Sequence, residues 1–332
     1  MLFMPNWSYA LPSGGQVVTN NGTITAGGKV MDITGSGNVA IDWNSFNIAA
    51  DEIVNFKNMQ AVLNYVSGGS KSEIFGKLNG AGVNVFLVNP NGILFGKTAQ
   101  VNVGQLTAST RSLEKAALNS FNGSLSPLDA GGAANVKADI INLGKLKAGK
   151  LVLEGNNLSI IGSDSLEVAD KSKITLRAGE NINIGYEVTD KTTIDVGDGK
   201  GNTHQVSDYG KGGGDKASDV LSTASVTDLK GSAKSINDAM LVHDVYELQA
   251  IDRNTGTING SSYVVGNYML AGDIDAGDTK NWNSGRGFDP IGRLNRTGNG
   301  VTGSFSGAFD GICHSIQNLY IRQIGNQYDG YI

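Results

Sequence analysis

The sequence predicts an all-β fold, a right-handed parallel β-helix. Three observations predict it: short alternating apolar runs, abundant glycine without proline, and an internal repeat of one coil's length. The runs include Gln16-Val17-Val18, Val39-Ala40-Ile41, Val83-Asn84-Val85-Phe86-Leu87-Val88 and Val101-Asn102-Val103, each broken off by Gly, Asn or Asp. Glycine supplies 47 of 332 residues and proline only 5. This balance excludes a collagenous or polyproline chain and calls for tight turns between strands.

The repeat is clearest where Lys150 to Gly162 (KLVLEGNNLSIIG) aligns, with one inserted residue, with Lys173 to Gly185 (KITLRAGENINIG), at an offset of 23 residues. A period in the twenties, built of strand, Gly/Asn corner and strand, is the signature of a stacked solenoid coil. An immunoglobulin-like sandwich also has short strands, but it does not require self-similarity at one fixed length. Strand alternation then points Leu151, Leu153, Leu158 and Ile160 inward, and likewise Ile174, Leu176, Ile182 and Ile184. It turns Glu154 and Arg177 to solvent.

Four segments follow in order. Residues 1–10 end in Ser8-Tyr9-Ala10, a small-x-small pattern ahead of Leu11-Pro12-Ser13, and read as a signal-peptide remnant. Residues 11–190 form the solenoid, with Asn21-Gly22, Asn79-Gly80, Asn91-Gly92 and Asn122-Gly123 supplying positive-φ corners. Residues 191–234 are Gly- and Ser-rich and read as an irregular linker. The run Gly210 to Gly214 lacks the buried strand and the Gly-Lys-Ser/Thr of a phosphate loop. From Ser235 the period changes: Ile236, Met240, Leu241, Val245, Leu248 and Ile251 fall on one helical face, so a short helix is expected over 235–251, capped by Ser235. β-like, Gly-rich sequence then returns, making 235–332 a second β-rich segment.

Composition removes several function classes. A net charge of −5 and a pI near 5.2 give no basic footprint for nucleic acid, and disfavour polyanions generally. The single cysteine, Cys313, permits no internal disulfide and no thiolate metal site, and is expected as a small buried hydrophobe. No run of apolar residues is long enough to cross a membrane as a helix. His204, His243 and His314 are too far apart for a zinc site or a triad. Asp273, Asp275 and Asp278, with Arg286 and Arg293, suit turns and a solvated rim as well as they suit a catalytic groove. No cofactor is implied, and the chain is read as not an enzyme.

The motif singled out is Asn89-Pro90-Asn91-Gly92, directly after the most hydrophobic strand. Pro90 fixes φ for the first corner position, Asn89 can bond its own backbone two residues on, and Asn91 and Gly92 tolerate positive φ. By turn chemistry alone this is a rigid structural corner.

Its surroundings add an address. Val85 to Lys97 (VFLVNPNGILFGK), followed by Ala99 to Thr110 (AQVNVGQLTAST), resembles the secretion domain of filamentous-haemagglutinin-like exoproteins. Leu11 to Val18, Ile41 to Asn47, Ala61 to Val66 and Ile74 to Gly76 extend the resemblance over residues 11–190. It implies two-partner secretion in a Gram-negative envelope. The chain would be captured in the periplasm by the POTRA domains of an outer-membrane transporter, fold outside behind an N-terminal cap, and end secreted or at the cell surface. Asn89, Pro90, Asn91 and Gly92 become the transporter-recognition motif. Some members carry Asn-Pro-Asn-Leu further upstream; here Ala61 to Val66 stands there instead, leaving Asn64 as a weaker candidate. Tyr268 to Asp275, Gly287 to Gly292 and Phe305 to Tyr320 resemble one GLUG-repeat unit of bacterial surface proteins. The resemblance implies an adhesin acting on a host or neighbouring cell. The alternatives are the delivery end of a contact-dependent toxin and, less favoured, a β-helix polysaccharide-degrading enzyme.

Overall fold

The computed structural model describes residues 11–125, 136–258, 261–292, 295–297, 300–302 and 304–322. The signal-peptide reading of residues 1–10 lies outside them. The chain divides into two compact units, residues 1–184 with 221–237, and residues 185–220 with 238–332.

The first unit is the parallel β-helix. One ladder runs through the strands Asn38–Trp43, Ala61–Val66, Lys77–Val88, Gln100–Ser109, Lys145–Gly155, Ile174–Ala178 and Ser225–Thr227. A second stacks Ser72–Ile74, Ile93–Phe95, Ile140–Asn142, Leu158–Ile160 and the start of Ile182–Tyr186. A third face pairs Val30–Gly35 with Ile53–Lys57 and the first half of Lys77–Val88. Among the described strands of this unit the antiparallel pairs lie at its beginning: Gln16–Val17 lies against Asn38–Trp43, and Gly22–Gly27 folds back on Val30–Gly35. These strands cap the N-terminal end of the sheets, where an open parallel edge would invite pairing with another chain.

Register follows the repeat. Leu151 pairs with Ile174 and Leu153 with Leu176, and beyond the corner, where the inserted residue enters, Leu158 pairs with Ile182 and Ile160 with Ile184. All eight side chains are fully buried, as alternation requires. Burying such a side chain stabilises by about 1.5–3 kcal/mol each relative to leaving it exposed. Glu154 departs from expectation. It points away from the coil axis, yet it is buried, because Arg111 and Arg177 close over it.

The corners are partly misplaced by sequence. Gly92 and Gly123 do take positive φ, but Gly22 and Gly80 do not, and the left-handed positions nearest them are Asn20 and Gly82. An Asn-Gly pair tolerates a corner without requiring one, so strand pairing decides.

Residues 111–125 leave the coil and cover its outer surface. Leu113, Leu118, Phe121 and Leu125 pack on Ala40, Ala61, Leu63, Tyr65 and Val88. Phe121 meets Phe86 edge to face at a centroid distance of 5.4 Å. The outward side of these strands is therefore a second core, which is why Ala61–Val66 is buried at every position.

Two polar ladders run along the stack. Asn55 donates its amide to Asp32 at 2.9 Å, and Asn79 donates to Asn55 at 3.0 Å. On another face Asn157 donates to Asp139 at 3.0 Å, and Asn181 to Asn157 at 3.2 Å.

The second unit is smaller and mixed. Residues expected as an irregular linker hold a hairpin, Lys191–Asp195 with Thr203–Ser207, whose Ile194 and Val206 enter the unit's core. The expected helix over 235–251 is shorter. Asn237–Val242 is a strand paired in parallel with Ser261–Leu270, and only Val245–Ala250 is α-helical, capped by Asp244 rather than Ser235. The apolar residues Ala239 to Val242 form a continuous run that suits a buried strand as well as a helix face, and the ladder to Met269 decides for the strand. Phe305–Asp310 adds a further parallel strand to Ser261–Leu270. Cys313, expected buried, is exposed.

Candidate functional site

The Asn89-Pro90-Asn91-Gly92 corner joins Lys77–Val88 to Ile93–Phe95. Asn89 ends the hydrophobic strand and is fully buried. Its side-chain carbonyl accepts from the Asn91 backbone N–H at 2.9 Å, the bond anticipated from turn chemistry. Its amide donates to the Ser70 carbonyl at 3.0 Å and to the Ser72 hydroxyl at 2.9 Å, both from the preceding coil. Its backbone carbonyl accepts from Gly92 at 3.1 Å and its backbone N–H donates to Ser109 at 3.0 Å, on the following coil. Every polar group of Asn89 is thus committed inside the fold, to three successive coils.

The other half of the turn faces out. Asn91 is exposed, and its amide donates to the Gly68 carbonyl at 2.7 Å; Pro90 is half-buried. Gly92 carries φ +110, which a side chain would strain, and a Cβ there would stand 3.3 Å from the Asp139 carbonyl. Of the two residues read as tolerating positive φ, Gly92 takes it and Asn91 does not. Beside the turn, Lys71 pairs with Glu73 at 2.8 Å.

Asn64 lies elsewhere. It is fully buried on Ala61–Val66, where its carbonyl accepts from the Trp43 indole at 3.1 Å and its amide donates to the Phe86 carbonyl at 3.2 Å. Its register partner on the next coil is Leu87, so the structure does not bring it into the corner.

Sequence reasoning missed the residues that hold the turn. Ser70 sits in the Gly-rich connection before it and Ser72 opens the strand Ser72–Ile74, with nothing local to mark either. Ser109, noted only as a flank, also donates its hydroxyl to Glu154 at 2.8 Å. Glu154 receives both arms of Arg111 at 2.6 Å and Arg177 at 2.7 Å. Burial pushes the Glu154 carboxyl up, but Arg111, Ser109 and Arg177 together outweigh it and hold the group below its ordinary range. Thr110, adjacent and buried, donates to the Ala138 carbonyl at 2.8 Å.

In the second unit, Asp273 accepts from the Ser315 N–H at 2.8 Å, and Asp275 from the Gly277 N–H at 3.0 Å and the Asn318 amide at 2.9 Å. These carboxylates tie the Ile274–Asp275 strand to the Ser315–Asn318 stretch beside it and hold the turn at Gly277. His243, assigned no partner from sequence, lies between Glu187 at 3.1 Å and Glu247 at 2.8 Å, and the i, i+4 spacing of His243 and Glu247 was its one legible sign.

Comparison with known proteins identifies a family. Residues 8–274 match the family described as the TPS secretion domain. A heme/hemopexin-binding protein of Haemophilus influenzae is 33% identical over 177 residues, 52% of this chain and 19% of that protein. Halomucin of Haloquadratum walsbyi is 28% identical over 228 residues, 68% of this chain and 2% of that protein. Among solved structures, the HMW1 secretion domain from Haemophilus influenzae aligns over 92% of this chain and 84% of that one, with 17% identity and a TM-score of 0.34. The chain spans a minor part of the length of both sequence relatives. A family match over 8–274 takes in nearly the whole β-helix and the corner it carries, and the chain belongs to the TPS secretion domain family.

Proposed function

We propose that residues 11–190 address a larger exoprotein to a POTRA-bearing outer-membrane transporter for two-partner secretion. The carrier would be a secreted or surface-exposed adhesin of a Gram-negative bacterium. The recognised residues are Asn89, Pro90, Asn91 and Gly92, with Asn64 as a further contact. The observation that carries this reading is the burial of Asn89 and Asn64 in a family that names secretion as its role. Both side chains are consumed by internal hydrogen bonds, so a transporter can touch them only before the coils close. In the folded domain Pro90 and Asn91 are what the corner offers. Vectorial folding outside the cell is supported by the solenoid itself, in which each coil gains its stability from the coil before.

The C-terminal stretch is proposed as one GLUG-like unit of the adhesin. It is supported by the parallel pairing of Tyr268 with Phe309 and of Ile274 with Ile316, which stacks the first part of the unit on the last.

The test uses isolated POTRA domains and the chain in two states. Urea-unfolded chain diluted into native buffer should bind them within its folding time, and prefolded chain should not. Secretion beside the transporter should fall for Asn89→Ala and Asn64→Ala. Wild-type secretion of both variants would overturn the recognition role.

A further inference from the structure

Two hollows lie in line along one corner of the β-helix, on a part of the surface separate from the Asn89 turn. The first, of about 620 Å³, is walled by Lys57, Asn58 and Gln60 over a floor that includes Phe56 and Met59. The second, of about 560 Å³, is walled by Gln105, Lys150, Ser172, Lys173 and Thr175. Register places them on successive rungs: Asn38 pairs with Ala61, Ala61 with Asn84, Asn84 with Gln105, Gln105 with Lys150, and Leu151 with Ile174. Five steps of about 4.8 Å make a path of roughly 24 Å parallel to the coil axis. The hollows adjoin where Gly104 crosses Gly82, so closely that a Cβ on Gly104 would stand 2.7 Å from the Gly82 backbone.

The chemistry of the lining is one-sided. The chain has 31 acidic residues, yet neither lining contains one. Lys57 is partly neutralised by Asp32 at 2.7 Å. Lys150 makes no ion pair among the described residues, and Lys173 acts on Asp170, which already accepts from the Ser172 hydroxyl at 2.6 Å. The remaining wall groups are amides and hydroxyls. Phe56 and Met59 are too buried to serve as an apolar anchor for a protein partner. Neither lining carries an exposed ring for the stacking that a single-stranded nucleic acid uses, and the net charge opposes a chain with a phosphate at every residue.

We propose that this corner is a binding track for an extended, carboxylate-bearing polysaccharide. Lys150 and Lys173 meet its acid groups, while Gln105, Thr175, Asn58 and Gln60 meet its hydroxyls. The overall acidity of the chain, which argues against polyanions in general, does not describe this groove: a sparse charge on a hydroxyl-rich polymer fits it where a dense one does not.

The test is fluorescence titration of the full chain with labelled oligogalacturonate, against neutral dextran oligosaccharide and single-stranded DNA. Oligogalacturonate should bind saturably and more weakly as salt rises. The Lys150→Glu/Lys173→Glu double variant should lose at least about tenfold in affinity. Lys97→Glu, a lysine outside both linings, should keep wild-type affinity. Thermal melts establish that the variants are folded, and Lys150→Gln/Lys173→Gln replaces the double reversal if it unfolds. The proposal is overturned if wild type shows no saturable binding, if the folded double variant binds as wild type does, if dextran binds equally, or if DNA binds more tightly.

Discussion

The backbone N–H of Asn89 donates to the carbonyl of Ser109 at 3.0 Å, and the Ser109 hydroxyl donates in turn to Glu154 at 2.8 Å. The corner and the buried Arg111–Glu154–Arg177 cluster are therefore tied through one residue. Glu154→Gln removes the charge shared by two arginines while keeping the shape. It should cost about 3–5 kcal/mol, the range for breaking a buried ion pair. Equilibrium urea unfolding reads this directly; a loss under about 1 kcal/mol would show that the cluster does not hold the fold.

The two asparagines of the corner should separate sharply. Asn89→Ala strands the Ser72 hydroxyl inside the protein and removes the partner of the Asn91 backbone N–H, at a cost of about 1–3 kcal/mol. Asn91→Ala removes an exposed amide and should cost less than about 1 kcal/mol. Comparable denaturation midpoints for the two variants would contradict the division of the turn into a buried and an exposed half.

His243 is raised from 6.5 to about 10 by its bonds to Glu187 and Glu247. Glu247 is lowered from 4.5 to about 2: burial opposes its ionisation, but His243 and Ser207 outweigh burial. A raised histidine contributes fully below about pH 6.5 and loses its contribution as pH rises through 10. A lowered carboxylate contributes fully above about pH 4.5 and loses its contribution as pH falls through 2. Stability of the second unit should thus be greatest between about 4.5 and 6.5, and His243→Asn should flatten both limbs. An NMR titration of the His243 ring with its midpoint near 6.5 would refute the coupling.

Gly104→Ala tests how closely successive corners approach. Its Cβ would press on Gly82 backbone rather than on a flexible side chain, so the two coils must part. A loss of about 1–3 kcal/mol is expected, as for other overpacked sites. Amide exchange should rise at the neighbouring rungs; a variant as stable as wild type would show that the corner can yield.

The repeat from Lys150 to Gly185 was legible because strand alternation and coil length act on the same few residues, and Leu151 and Ile174 have no other way to be buried. The turn chemistry of Asn89 was legible for a similar reason, since Asn91 lies only two residues away. Glu154 was misread because what buries it comes from Arg111, which local alternation does not report. The same holds for Leu118 and Phe121, whose covering of the outer face depends on where the chain goes after it leaves the coil. The strand Asn237–Val242 was misread as helix because a short apolar run fits both periods, and its ladder to Ser261–Leu270 is set from outside the run. Asn64 was placed by family pattern alone, and its partners Trp43 and Phe86 come from the coils on either side.

The ladder from Asp32 through Asn55 to Asn79 has a sense of direction. An ionised carboxylate can only accept, so Asp32 obliges Asn55 to turn its NH₂ toward it and its carbonyl away. Asn79 must then do the same. Two coils along, an amide that could face either way has had its orientation chosen by a charge it never touches. Asp139 does the same for Asn157 and Asn181. In both ladders the later coil supplies the donor and the coil before it the acceptor, so these stretches of the stack distinguish their beginning from their end by hydrogen-bond polarity alone.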